Sequence, residues 1–346
     1  MEDQSLDSDR VPAPSRCPLC VQPATFSHLE VHVDRDVRYD LYECAQCRAQ
    51  FWEPLRNPGS EWYESDPRYA GANADPPRDL NWHHRKTVSF LRRQAGLPRA
   101  QERGMQAAKA LDVGCGTGHF LSWARACGWD VYGIDFDANA VRASTEVFGL
   151  PHIEKKTLSD TITMHPEYAG SFDLVTFFDL FEHIDNHNEF AEQVKLLLRD
   201  GGYIAMSMPY RDGGRSLQLG DLPPRHLTRW NRESLEIFWR KHGFRVIYMK
   251  REPVTYLRLV AKYRFKYGNV FSFGLVNKVK KTVSSGNAAA GEKDTRVPFR
   301  VRLAHALAKT KDIILFGIPA LFLWLTLLPS EKRYIGLFMV AQKSEL

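Results

Sequence analysis

Seven short apolar segments, separated by longer stretches of mixed character, run from residue 109 to the end of the chain. Five fall near 109–113, 129–134, 152–155, 172–178 and 202–207. Nearly unbroken apolar character over such short lengths reads as strand buried on both faces, the pattern of a parallel sheet covered by helices. Between these runs apolar residues recur at helical spacing, and strand–helix alternation builds a doubly wound sheet. Arg232 to Trp239 reads as a further helix stopped by Gly243. A strand from Phe244 to Met249 follows it, and Tyr334 to Ala341 is the last one. The expected fold class is α/β, with a mostly parallel seven-stranded sheet.

The flanking regions do not follow this alternation. Residues 1–10 are acidic and polar, with no apolar core of a signal peptide, and are expected to be a disordered tail. Residues 11–55 hold two alternating segments, Leu29 to Val33 and Val37 to Tyr42, that read as a small hairpin. Residues 56–108 read as a loop and helical arm. Residues 56–80 are rich in Pro, Asn, Asp and Gly, with Trp62, Tyr63 and Tyr69 scattered among them, and a helix over 81–96 follows. The core spans 109–250 and is completed by 333–346. Between its last two strands lies an insertion, 251–332, in place of a short hairpin.

Charge sharpens the picture of that insertion. The chain carries a formal +6, yet residues 240–311 hold 18 Lys and Arg against Glu252, Glu292 and Asp294, a net +15 that leaves −9 for the rest. Such asymmetry points to a local anionic partner. Residues 313–328 are almost wholly apolar, with Lys309, Lys311, Lys332 and Arg333 at their flanks. A spanning helix needs about 20 apolar residues, and both ends of this run return to one sheet. A segment dipping into one leaflet of an anionic membrane is therefore expected, with a buried core or dimer helix as the competing reading. Aromatic and basic residues interleave over 254–283, as they do in nucleic-acid binders. Nucleic acid leaves the apolar run unexplained and is not the expected partner.

Four of the six cysteines pair by spacing: Cys17 and Cys20, then Cys44 and Cys47. Each C-x2-C knuckle can present two thiolates to one metal, and two knuckles complete a tetrahedral four-cysteine zinc site, resembling a zinc ribbon. Two disulfides are the alternative, and they require an oxidising compartment. Cys115 and Cys127 read as packing residues.

The richest stretch is Ala110-Leu111-Asp112-Val113-Gly114-Cys115-Gly116-Thr117-Gly118-His119-Phe120, a strand ending on an acid, three alternate glycines and a helix start. A dinucleotide fingerprint needs glycine where His119 stands, and a carboxylate beside a pyrophosphate is repulsive. Asp112 suits a cationic ligand instead. Asp135 ends the next strand, 23 residues on, where a carboxylate can accept both ribose hydroxyls of an adenosine. Together with Phe172-Asp173 to Glu182-His183-Ile184, the Gly201-Gly202 turn and Pro209, these residues resemble class I S-adenosylmethionine-dependent methyltransferases. His226 to Asn231 and Gly243-Phe244 resemble the subgroup of ubiquinone-type and cell-surface glycan enzymes.

That resemblance implies a Rossmann-like fold with an antiparallel last strand, and S-adenosylmethionine as cofactor. It also implies roles. Gly114, Gly116 and Gly118 would pack against the methionine part, and Asp112 would meet its ammonium. Asp135 would hold the ribose and Phe136 would flank the adenine. Ser159 and Asp160 would contact the adenine edge, with Asp179 and Leu180 beneath the sulfonium. Tyr63 and Tyr69 are candidates to close the pocket. Histidine titrates near working pH, so His226, and next His183, are the candidate bases. The pair His83-His84 reads as a helix N-terminal surface. No acid cluster at the fourth strand exit signals metal-dependent catechol chemistry, and no catalytic metal is expected. The expected function is methyl transfer at the cytoplasmic membrane face, by a peripheral or monotopic enzyme, to a lipid-linked, glycan, isoprenoid or other small-molecule acceptor. A soluble sugar C-methyltransferase and a non-catalytic zinc-ribbon nucleic-acid binder are the alternatives. Oligomeric state is left open by the sequence.

Overall fold

The computed structural model describes residues 11–65, 80–94, 107–211, 221–271 and 313–344. The chain divides into two units, residues 1–252 with 335–346, and residues 253–334.

The first unit contains the expected sheet. Its strands are β4 (Lys109–Val113), β5 (Asp130–Asp135), β6 (His152–Lys155), β7 (Phe172–Phe178), β8 (Leu198–Pro209), β10 (Phe244–Pro253) and β11 (Tyr334–Lys343), in the order β10-β11-β8-β7-β4-β5-β6. Strands β4 to β8 pair in parallel, and β11 pairs antiparallel with β8. The middle strands are buried on both faces, with Leu174, Val175, Phe177, Ile204 and Ala205 fully covered, which is why their sequences do not alternate. Gly133 has no substitute in β5, because a Cβ there would lie 2.6 Å from Leu121 and 2.8 Å from Ile153. The chain leaves β4 in one direction through β5 and β6, then returns to the other side of β4 as β7. Ligands bind at the strand carboxyl ends beside such a reversal.

A second, four-stranded sheet holds the cysteine region: β1 (Phe26–Asp34), β2 (Val37–Cys44), β3 (Gln50–Glu53) and β9 (Thr228–Arg229). The hairpin over 29–42 is present and longer than its pattern indicated. Its fourth strand, however, comes from the chain beyond β8, so the ribbon does not close on itself. Asp40, fully buried, holds this sheet by accepting from His28, Arg38 and the Val11 backbone N–H.

Residues 60–65, read from composition as loop, form a short helix α1 (Ser60–Ser65); Tyr69 lies outside the described residues. Helix α2 (Trp82–Gln94) follows. His84 within it is buried against Phe120 and Phe178 rather than lying on the surface, and burial pulls its pKa to about 2. Helix α3 (His119–Ala126) follows the glycine turn, and α4 (Ala138–Phe148) and α5 (Leu158–Met164) follow β5 and β6. Helices α6 (His187–Leu197) and α7 (Arg232–Lys241) complete those described in this unit.

The second unit contains α8 (Tyr256–Phe271), a π-type turn (Ile313–Gly317) and α9 (Ile318–Leu327). Phe316, Ala320 and Leu327 are buried, and the Trp324 indole donates to the Val254 carbonyl at 3.2 Å. Ile314, Ile318, Leu321, Phe322 and Leu325 are exposed. Among the described residues no helix is long and apolar enough to cross a membrane.

Candidate active site

The turns that leave β4, β5 and β7 form one cleft, lined by Gly114 and Gly116, by Asp135, Phe136 and Asp137, and by Phe178, Asp179 and Leu180. Tyr63 and His183 also line it. The three glycines take positive φ of 71°, 52° and 74° at Gly114, Gly116 and Gly118, a region that side chains avoid. Gly118 serves packing: a Cβ there would sit 2.5 Å from Leu150 and 2.9 Å from Ser144, so it lets α3 approach α4. Gly116 serves the cleft, since a Cβ there would meet no protein atom within 4 Å.

Asp135 joins two of the turns. One carboxylate oxygen accepts the Gly116 N–H and the other the Asp137 N–H, both at 2.9 Å. Each oxygen keeps a lone pair, so the group can still accept from a ligand hydroxyl. Burial raises its pKa. Asp112 is deeper and does not line the cleft. It accepts from the Thr176 hydroxyl at 2.6 Å, and burial pushes its pKa from 3.8 to about 7. Asp179 sits at φ 50° and accepts from Ser207 at 2.9 Å, while Leu180 covers Gly114. The turn that presents Asp179 is thus held in a sparsely populated conformation.

Ser159 and Asp160 stand apart from this cleft. Asp160 forms a capping box with Thr157 at the start of α5, and Ser159 lines a separate groove with Glu189, Lys195 and Lys343. The spacing Thr-x-x-Asp is a helix-start signal, and local capping is the use this acid serves.

Three groups stand together beside the cleft: Glu182 and His226 are buried and His183 is half-buried. The His183 imidazole uses Nδ1 on the Arg225 carbonyl at 2.6 Å, with the Tyr63 hydroxyl 3.2 Å away. His226 uses Nδ1 on the Asp221 carboxylate. Each ring therefore keeps Nε2 as its lone pair. The rings lie 4.7 Å apart and perpendicular. Burial holds both imidazoles neutral, His183 well below its usual range and His226 at about 3. His183 faces the cleft, whereas His226 sits behind it. Glu182 completes the group, buried, with one carboxyl oxygen lacking a protein partner and its pKa raised well above normal by burial. Ligand atoms of Glu182, His183 and His226 all lie within 4.8 Å of one another. Two imidazole nitrogens and a carboxylate at that spacing can hold a divalent cation, a cluster that reading for acids alone did not find.

The four ribbon cysteines form a second cluster, all buried, with their sulfurs within 4.8 Å. Cys17 and Cys47 sulfurs lie 3.8 Å apart, and those of Cys20 and Cys44 lie 3.9 Å apart. Zinc–sulfur bonds of about 2.3 Å in a tetrahedron place sulfurs about 3.8 Å apart. The cluster fits a zinc ribbon.

The doubly wound sheet, the glycine turn at its reversal and the carboxylate at the next strand end are the arrangement implied by the resemblance to class I S-adenosylmethionine-dependent methyltransferases, here beside an N-terminal ribbon. Residues 81–249 match a family described as "Methyltransferase domain". Among curated proteins the chain is 28% identical over 163 residues to a ubiquinone biosynthesis O-methyltransferase of Psychrobacter cryohalolentis, covering 45% of this chain and 61% of that protein. It is 26% identical to the enzyme of that name from Acinetobacter baylyi, covering 43% and 57%. The chain thus spans less than two thirds of the length of these relatives. A solved S-adenosylmethionine-dependent methyltransferase from Archaeoglobus fulgidus is 17% identical with a TM-score of 0.43, over 75% of this chain and 94% of that one.

Proposed function

We propose that this methyltransferase transfers the methyl group to a hydroxyl of a small, lipid-linked or isoprenoid acceptor at a membrane surface. The observation that carries the reading is the cleft itself, which is lined by the Gly116 and Asp135 turns together with a neutral His183. Methyl transfer is an in-line displacement at an activated carbon, so the protein mainly positions the acceptor and takes its proton. In this reading Asp135 holds the ribose, Asp112 acts on the cofactor ammonium directly or through a water from behind the Gly114 turn, and Phe136 flanks the adenine. His183 Nε2 accepts the acceptor proton, with His226 backing it. The relatives named for ubiquinone O-methylation support oxygen as the methylated atom. The apolar exposed stripe on α9 and the net +15 of residues 240–311 support action at an anionic membrane. The four cysteines hold a structural zinc. Incubation with methyl-labelled S-adenosylmethionine and a bacterial lipid extract tests the reading. Label should enter an organic-soluble product, and label only in aqueous sugars would overturn the acceptor class.

A second reading of the acceptor side is favoured by the unpartnered Glu182 oxygen. A divalent cation held by Glu182, His183 and His226 would orient the acceptor hydroxyl and lower its pKa. Dialysis against a chelator under conditions that leave one zinc per chain in the ribbon, followed by return of Mg²⁺, separates the two. Loss and recovery of turnover supports the cation, and unchanged turnover supports the unassisted histidine.

A further inference from the structure

The ribbon reaches the acceptor side through a short chain of contacts that the methyl-transfer chemistry leaves unexplained. Strand β9 completes the ribbon sheet, with Phe51 opposite Thr228 and Gln50 opposite Arg229. It begins two residues after His226. Between them, the Leu227 peptide is bonded on both sides: its carbonyl accepts the Trp52 N–H at 2.9 Å, and its N–H donates to the Glu182 carbonyl at 2.8 Å. The Arg229 guanidinium lies 5.1 Å over the Trp52 ring and donates to Glu30 of β1 at 3.1 Å. Its Nε lies 3.7 Å from the Asp221 carboxylate, which also meets Arg211 and accepts from His226 Nδ1. Asp221 and His226 are 5% and 3% exposed, so water does not substitute for these partners.

We propose that Arg229 is a positioning residue through which the metal-loaded ribbon holds the Asp221–His226 pair, so that losing the ribbon metal disables the acceptor side and spares the cofactor cleft. The inference rests on the reading of His226 as part of the acceptor side. Asp221 fixes the His226 tautomer that leaves Nε2 unprotonated, whether that nitrogen backs a base or meets a cation. Ribbon strand β3 starts three residues after Cys47, and so small a module has too little core to keep its strands without the metal. Releasing β3 removes the Trp52 bond to Leu227 and the ring beneath Arg229 together. Gly116, in the turn after β4, and Asp135, at the end of β5, belong to strands that among the described residues have no pairing with the ribbon sheet.

The test uses full-length protein with ¹⁵N-labelled histidine, in which His226 is assigned by the signal missing from His226→Gln. In the loaded wild type, His226 should show a single tautomer protonated at Nδ1. Stripping the ribbon metal with a mercurial and a chelator should convert it to a tautomer mixture. Affinity for S-adenosylhomocysteine should stay within about threefold. The variant Arg229→Gln, which keeps all four cysteines, should retain one zinc and the same affinity yet show the same mixture. An unchanged His226 signal in both samples overturns the coupling. Loss of S-adenosylhomocysteine binding on stripping overturns its selectivity, because the ribbon would then support the whole fold. Failure of the functional reading looks different: His226→Gln would turn over like wild type, while the tautomer signal would still decide the coupling.

Discussion

The Asp135 carboxylate accepts the backbone N–H of Gly116 at 2.9 Å, so the acid that ends one strand holds the turn that ends its neighbour. The cleft is thereby organised before any ligand arrives, and the two residues should act as one unit. Gly116→Val places a branched side chain at φ 52° in space that no protein atom fills. It should abolish S-adenosylmethionine binding. Asp135→Ala should weaken binding by about 1.5–3 kcal/mol through loss of charged hydrogen bonds. Isothermal titration of both variants checks this, and unaltered affinity in either would place the cofactor elsewhere.

Asp112 gives the pH dependence. With a pKa raised by burial to about 7, it is largely protonated in the cofactor-free protein below neutrality. A cationic ligand favours the ionised form and must lower that pKa, so binding should release a proton. The sign follows. Affinity should rise with pH up to about 7 and then level off. Stability of the free protein runs the other way, being fully present below the unfolded pKa of 3.8 and lost as pH rises through about 7. Calorimetry in buffers of different ionisation enthalpy measures the released proton, and Asp112→Asn should remove both trends. No proton release near neutrality would mean that the ammonium does not meet Asp112.

The two histidines should separate by depth. His183 lines the cleft and His226 lies behind it, so His183→Ala should cost the larger share of turnover. A positioned proton acceptor is worth about 10²–10⁴-fold in rate. Both variants should keep cofactor affinity. His226→Ala acting alone on turnover, with His183→Ala neutral, would return the base to His226.

The fold was legible because its strands are buried on both faces and its turns use glycines at positive φ, both strong local signals. Asp135 could be read from its place one strand beyond the glycine turn. Asp160 carries a second signal that the sequence also shows, the four residues from Thr157 to Asp160 in capping-box form, and it lies apart from the cleft lining. The acceptor side was only half legible. Glu182 and His183 are adjacent in sequence, but His226 joins them through contacts about 40 residues away in the chain, at Arg225 and Leu227. Strand β9 is two residues long and carries no periodicity. Its pairing with β3 is a tertiary choice, and so is the link from ribbon to site.

Residues 313–328 carry the last prediction. Ile314, Ile318, Leu321, Phe322 and Leu325 recur at helical spacing and all are exposed, Phe322 by 72%. Burying each such side chain is worth about 1.5–3 kcal/mol, so a stripe of five has a strong drive to leave water. Lys332 and Arg333 lie within six residues of the helix end, and 18 Lys and Arg lie between residues 240 and 311. Each that reaches an anionic surface adds about 1 kcal/mol. The protein should therefore bind vesicles containing phosphatidylglycerol, release partly in high salt, and release fully only in detergent. Phe322→Ser with Leu325→Ser should cut vesicle binding at least tenfold and leave S-adenosylhomocysteine affinity unchanged, since neither residue belongs to the cofactor cleft. Charge alone would leave binding fully salt-reversible and insensitive to the double substitution. Apolar insertion predicts a detergent-requiring fraction that the double substitution removes. Wild-type protein that ignores such vesicles would show that the stripe packs on protein instead.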